Sequence, residues 1–159
     1  MQWSKLKQRV ERFFAPSVAG RVELRATRYR GAHDATGRGY ITVDGREVWN
    51  LCSLAFEKEE RERIDRRMSE TAVSARQAQL DITPGLQSEG ILAQWDFYRA
   101  LEGYCNRSIE ENLASTNPLV RSLSMLDART GKRTLLTLSM AEEHPMVRYF
   151  HELRLNAEE

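Results

Sequence analysis

The stretch that most constrains this chain is residues 40–51, YITVDGREVWNL, where Asp44-Gly45 separates two short runs rich in β-branched and aromatic residues. Asp-Gly suits a two-residue type I′ turn, because both central positions need positive φ. The pattern predicts an antiparallel hairpin of Tyr40–Val43 with Arg46–Leu51. A two-residue turn then pairs Val43 with Arg46 and Ile41 with Val48 on one face, and sets Tyr40 beside Trp49 on the other. Both faces carry apolar weight, so helices are expected on more than one side.

The flanking sequence extends this hairpin to a three-stranded meander. Gly20 opens a period-two stretch in which Val22, Leu24 and Ala26 face one way and Arg21, Glu23, Arg25 and Thr27 the other. Residues 31–39, GAHDATGRG, read as a turn-rich connection into the hairpin. Ahead of the strands, Ser4 can cap a helix whose Leu6, Val10, Phe13 and Phe14 share one side, and Pro16 stops it.

After the hairpin the pattern changes. From about Leu54, AFEKEERERIDRRMSETAVSARQAQ reads as one long charged helix with a thin apolar line of Phe56, Ile64, Met68 and Ala75. Pro84-Gly85 predicts a loop over Asp81–Ser88, hinging an αβββα part (1–80) to an all-helical part (88–159). In the latter, Leu92, Trp95, Tyr98 and Leu101 form a helical stripe, and Ser108 with Glu111 is a capping box. Asn117-Pro118 starts a further helix, which Gly131 is expected to end in a left-handed cap. The fold class is therefore α+β within a single domain of 159 residues. An N-terminal helix lies on a three-stranded meander, followed by a long charged helix and a C-terminal array of short helices.

Asn117-Pro-Leu-Val-Arg-Ser-Leu recurs as His144-Pro-Met-Val-Arg-Tyr-Phe, 27 positions on. A helix, turn, helix period of this kind is what stacked HEAT-like units show. Two copies with Pro in the first turn are equally what ordinary helix starts produce.

RYRGAHDATGRGYITVDGREVWN, AQWDFYRALEGY, SIEENLAS, NPLVRSLSMLDARTGKRTL and HPMVRYFHELR together resemble an uncharacterised family of short bacterial proteins. The resemblance covers most of the chain and is weakest over residues 57 to 80. It implies no activity, substrate or cofactor, and assigns no functional residues.

Charge sets limits on partners. The 24 basic and 23 acidic side chains leave +1, so no global field draws in nucleic acid or an anionic membrane, and such binding needs a local patch. Cys52 and Cys105 are neither a disulfide framework nor a zinc cluster, which points to a reduced compartment. Each reads as a buried small hydrophobe, and Trp3, Trp49 and Trp95 as core anchors. The N-terminus lacks an apolar signal core, and no stretch approaches the roughly 20 apolar residues of a membrane span. The expectation is a cytoplasmic protein without a membrane partner.

Three groups of residues invite a chemical reading. His33-Asp34 could form an acid/base pair or supply metal ligands, or Asp34 could bond its own turn. In Asp127–Arg133, the cations Arg129, Lys132 and Arg133 beside a helix start could hold phosphate or carboxylate. The alternative is that Asp127 pairs with Arg129 or Arg133 and fixes the interhelical turn. Gly131-Lys132 is no P-loop, since Leu126 stands where its first glycine belongs. The sheet arginines Arg21, Arg25, Arg28, Arg30, Arg38 and Arg46, interleaved with Tyr29 and Tyr40, could contact a nucleic-acid backbone, or form a solvated face.

No nucleophile-base set, metal cluster or cofactor motif is evident, so no catalytic residue, metal or cofactor is assigned. The expectation is a non-catalytic adaptor that binds another protein through Arg121, Arg129, Lys132, Arg133 and Arg148. The alternative is a nucleic-acid-associated protein using Arg21, Arg25, Tyr29 and Arg38.

Overall fold

A computed structural model describes residues 2–31 and 36–159, so the His33-Asp34 expectation lies outside the described residues. The chain runs α1 (Trp3–Glu11), β1 (Val22–Arg28), β2 (Gly37–Val43), β3 (Arg46–Cys52), α2 (Ser53–Glu70) and α3 (Ala75–Ser88). It continues as α4 (Gln94–Cys105), α5 (Ile109–Leu113), α6 (Pro118–Leu126), α7 (Lys132–Thr137) and α8 (Pro145–Ala157). This is the α+β architecture expected from the sequence, a helix and an antiparallel sheet followed by helices. The first helix begins at Trp3, with Gln2 rather than Ser4 at its cap.

The sheet has the order β1-β2-β3, all antiparallel. Asp44 and Gly45 take φ of 49° and 78°, the type I′ conformation the sequence demands, and Val43 lies opposite Arg46. The register then departs from expectation. A bulge between Ile41 and Thr42 makes Val48 the extra residue, so Ile41 faces Trp49 and Tyr40 faces Asn50. The expected pairs Ile41–Val48 and Tyr40–Trp49 are corrected by this one-residue slip. Its physical reason is Trp49, which the slip turns onto the covered face, where it is buried and stacks on His144 with ring centroids 5.6 Å apart.

On the covered face, α4 presses against β2. A Cβ on Gly39 would lie 2.3 Å from the Phe97 ring, so only glycine fits there. Gln94 Nε2 donates to the carbonyls of Thr27 (2.8 Å) and Arg38 (2.9 Å) and ties α4 to the first two strands. The principal core joins Leu6 and Val10 of α1, Leu24, Ile41 and Leu51 of the sheet, and Phe97, Leu123 and Phe150 of the later helices.

Two helix boundaries were misplaced by the sequence pattern. The single charged helix is a helical hairpin, broken between Glu70 and Ala75. Thr71 Oγ1 bonds back to the Arg67 carbonyl at 2.7 Å and Ser74 Oγ caps α3 by accepting from Gln77 N at 3.1 Å. Conversely, Pro84-Gly85 is no loop but lies inside α3. A helical proline forfeits the bond to the carbonyl four residues back, here that of Leu80, a residue on the exposed side of the helix. Leu86, fully buried with Phe56 and Ala93, holds the helix beyond the proline in place.

The repeated motif corresponds to two helices that begin alike and pack on one another. Asn117 Oδ1 accepts from Leu119 N at 2.9 Å at the start of α6, and His144 Nδ1 accepts from Met146 N at 3.1 Å at the start of α8. Each is followed by Pro at the first helical position. Gly131 does not end α6. It has φ −68° and caps the start of α7, while α6 stops at Asp127, whose extended backbone bridges to Phe14.

Candidate functional site

The Asp127–Arg133 segment turns about two buried polar residues, Asp127 and Thr130. Asp127 is fully buried and accepts from Arg129 N (2.8 Å), from Arg129 Nη2 (2.7 Å) and from the Tyr104 hydroxyl. Burial, then the Asp127 carboxylate, push the Tyr104 phenol far up from its ordinary pKa. The same carboxylate raises Arg129, whose guanidinium lies 3.9 Å from the Phe13 ring centroid. Arg154, itself buried, donates to the Asp127 carbonyl at 2.9 Å and the Met125 carbonyl at 3.3 Å, and bonds Glu158. Ala15 N and Ala128 N complete a short backbone pairing with Leu126 O and Phe13 O at 2.8 and 2.7 Å. Asp127 thus pairs with Arg129 and fixes the turn, and the Arg129 guanidinium is committed to that pair.

The other cations expected to meet a partner are dispersed. Arg121 is bound to both Glu143 oxygens and to the Leu113 carbonyl, stapling α6 to the segment before α8. Lys132 donates to the Glu158 carbonyl at 3.3 Å. Arg133 and Arg148 are exposed.

Three arginines of the sheet region, Arg21, Arg25 and Arg38, are matched by carboxylates, whereas Arg28 and Arg46 have no ion pair among the described residues. Arg21 forms a bidentate pair with Asp44 (2.8 and 3.0 Å), Arg25 meets Glu23 at 2.9 Å, and Arg38 meets Glu47 at 2.8 Å while lying 4.0 Å from the Tyr40 ring centroid. Tyr29 does not stand free either, since its hydroxyl is 3.0 Å from Cys52 Sγ. Burial by itself would raise the Cys52 thiol, but the Tyr29 hydroxyl and the backbone N–H groups of Ala55 and Leu54, at the start of α2, hold it below the ordinary range. Burial raises Cys105. Among the described residues no group of three or more His, Cys, Asp or Glu is placed to hold a metal ion.

The feature that sequence reasoning missed is the hairpin of α2 and α3. The one extensive neighbour of α3 is α2. Between residues 57 and 85 only Ala78 is buried, so the hairpin stands off the body and is seated at its base by Phe56, Leu86 and Ala93. Its helices are held chiefly by polar links. Thr83 Oγ1 donates to Glu60 at 2.5 Å, Arg63 joins Glu59 (2.7 Å) and Glu89 (2.8 Å), and Arg67 lies 3.6 Å from Asp81. Leu54, Met68 and Leu80 are exposed on it, and the exposed Trp95 meets Phe56 at its base. A groove of about 400 Å³ along the hairpin is lined by Glu57, Glu60, Arg61, Ile64, Arg76 and Gln79. Ser74-Ala-Arg-Gln77, an S-x-x-Q start signal, could have revealed the hairpin.

No helix of the described residues is long and apolar enough to cross a membrane. The SF0329 protein family matches residues 2–155. No curated protein and no solved structure matches the chain.

Proposed function

This chain belongs to the SF0329 protein family, and we propose that it is a non-catalytic adaptor of the bacterial cytoplasm whose contact element is the α2–α3 hairpin. The observation that carries this reading is the distribution of exposed apolar side chains. Of the large hydrophobics exposed among the described residues, Leu54, Met68 and Leu80 lie on the hairpin and Trp95 against its base, leaving Leu136 and Tyr149 elsewhere. A projecting hairpin that buries little of its own surface gains stability by covering that surface with another chain.

Charge selects the partner. Glu59, Glu60 and Arg63 are hydrogen-bonded within the molecule and Arg67 lies near Asp81, whereas Arg61 and Arg76, lining the hairpin groove, have no ion-pair partner among the described residues. An amphipathic segment with acidic side chains at the spacing of these two arginines, and an apolar stripe for Leu80 and Met68, is the occupant that fits. The C-terminal helices support a second contact surface. Asn117–Leu123 and His144–Phe150 start alike, as stacked HEAT-like units do, and Arg133, Leu136 and Arg148 remain exposed there.

The nucleic-acid alternative draws on Arg25, Arg38, Tyr29 and Tyr40. On the open face of the sheet Glu23 and Glu47 balance Arg25 and Arg38, and a face without excess positive charge releases few counterions on meeting phosphates.

The test is affinity capture of the tagged chain from its host after nuclease treatment, with two charge reversals in parallel. Arg61→Glu with Arg76→Glu is expected to release the partner that the unaltered chain retains, and Arg133→Glu with Arg148→Glu to keep it. The opposite pattern would move the contact to α7 and α8. Recovery that nuclease abolishes would favour the sheet.

A further inference from the structure

A cleft separate from the hairpin groove lies between α4 and the start of α6, with a volume of about 250 Å³. Its floor is apolar or bare, made by Leu92, Ala100, Gly103 and Val120. Asp96, Arg99, Gly103 and Arg107 recur at helical spacing, so the helix brings them to one side. The chain has just left α4 at Arg107, whose guanidinium is 3.7 Å from where a Gly103 Cβ would stand. Glycine at 103 therefore keeps the floor open between the two arginines.

The polar groups in the cleft are not alike in their commitments. Asp96, the one acid in the lining, is buried and already accepts from Ala93 N at 3.2 Å and Gln87 Nε2 at 3.1 Å. Asn117 spends its side-chain oxygen on Leu119 N. The exposed guanidinium groups of Arg99 and Arg107, by contrast, have no hydrogen bond or ion pair among the described residues, and Arg99 has only a through-space attraction to Asp96. Elsewhere Arg21, Arg25, Arg38, Arg63, Arg121, Arg129 and Arg154 are all engaged with carboxylates.

We infer that this cleft binds a compact oxyanion, a small molecule bearing phosphate or paired carboxylate groups, with Arg99 and Arg107 gripping it from the α4 wall on either side of Gly103. Guanidinium groups match both anions through paired N–H donors, and a concave, partly apolar setting strengthens such bonds relative to open solvent. A volume below the roughly 300 Å³ of ordinary ligand pockets restricts the occupant to a small molecule.

The experiment is a titration of the full ¹⁵N-labelled chain with inorganic phosphate, succinate and citrate in turn, each against sodium chloride of equal ionic strength. The arginine Nε–Hε signals and backbone amides are followed by NMR. Saturable shifts are expected at Arg99, Gly103, Arg107 and Asn117, with the apparent Kd weakened at least tenfold in Arg99→Gln and in Arg107→Gln and binding lost in Gly103→Leu. Saturation by phosphate alone assigns a phosphorylated ligand, and saturation by succinate or citrate assigns a polycarboxylate. Shifts that match sodium chloride, fail to saturate, or persist unchanged in both arginine variants would overturn the inference. Unchanged amide signals elsewhere in the variants verify that the fold is kept.

Discussion

Replacing Asp127 by Ala should be among the most damaging single changes in the molecule. Three losses follow from its geometry. The Tyr104 hydroxyl, fully buried, loses its carboxylate acceptor and keeps only the Leu123 carbonyl at 3.4 Å, a loss of about 1–3 kcal/mol. The bond from Arg129 N, a local clamp on the turn, contributes about 1 kcal/mol. The Arg129 side chain is 33% exposed and can turn to solvent, so its ion pair is discounted for screening to about 1 kcal/mol or less. The sum, about 2–5 kcal/mol, overlaps what removing one member of a buried pair costs. With a urea m-value of about 2 kcal/mol/M, the unfolding midpoint should fall by about 1–2.5 M. Tyr104→Phe alone should cost about 1.5 kcal/mol, because one bond to a charged acceptor is lost while Arg129 still serves Asp127. The double variant should show a coupling of at least about 1 kcal/mol. A midpoint shift under about 0.5 M for Asp127→Ala, or strict additivity with Tyr104→Phe, would refute the view that this junction anchors the C-terminal helices to the N-terminal segment.

Other expectations are open to direct measurement. Alkylation followed by mass spectrometry against pH should show Cys52 ionising before Cys105, and Tyr29→Phe should move Cys52 upward; titration of Cys105 first would contradict this. Gly39→Ala drives a Cβ to 2.3 Å from Phe97 and should cost about 1–3 kcal/mol in thermal unfolding, whereas Gly103→Ala, whose new Cβ meets nothing closer than 3.7 Å, should stabilise by about 0.5–1 kcal/mol. Pro84→Ala restores a helical donor and should raise the local stability of α3, seen as slower amide exchange over residues 80–88, by no more than about 3 kcal/mol.

Where the sequence was legible, one residue type at one place carried a strong local preference. Asp44-Gly45 specified its turn, Ser108 with Glu111 its capping box, and Asn117-Pro118 its helix start. The failures came where tertiary packing outweighed such preferences. Burial of Trp49 imposed a bulge that no turn rule contains, and burial of Leu86 carried α3 through Pro84-Gly85. The hairpin was hidden because a run of charged residues reads equally well as one helix or two, and Ser74 was the signal passed over. Candidate sites were less legible still. Spacing alone could set Arg99, Gly103 and Arg107 on one side of a helix, but only the arrival of α6 turns that side into a cleft. Likewise the charge of Arg121 is visible in sequence while its consumption by Glu143 is not, whereas the pairing of Asp127 with Arg129 is one of the two readings that segment offers.

The most direct test of the adaptor reading is photo-crosslinking in the host, with a benzophenone amino acid placed at Leu80 on the hairpin or, separately, at Thr27 on the open face of the sheet. A discrete protein adduct from position 80 that is absent from position 27, and that disappears when Arg61 and Arg76 are reversed to Glu, is the predicted result. No adduct at position 80, or one that survives the charge reversal, would contradict the hairpin as the place where the partner docks.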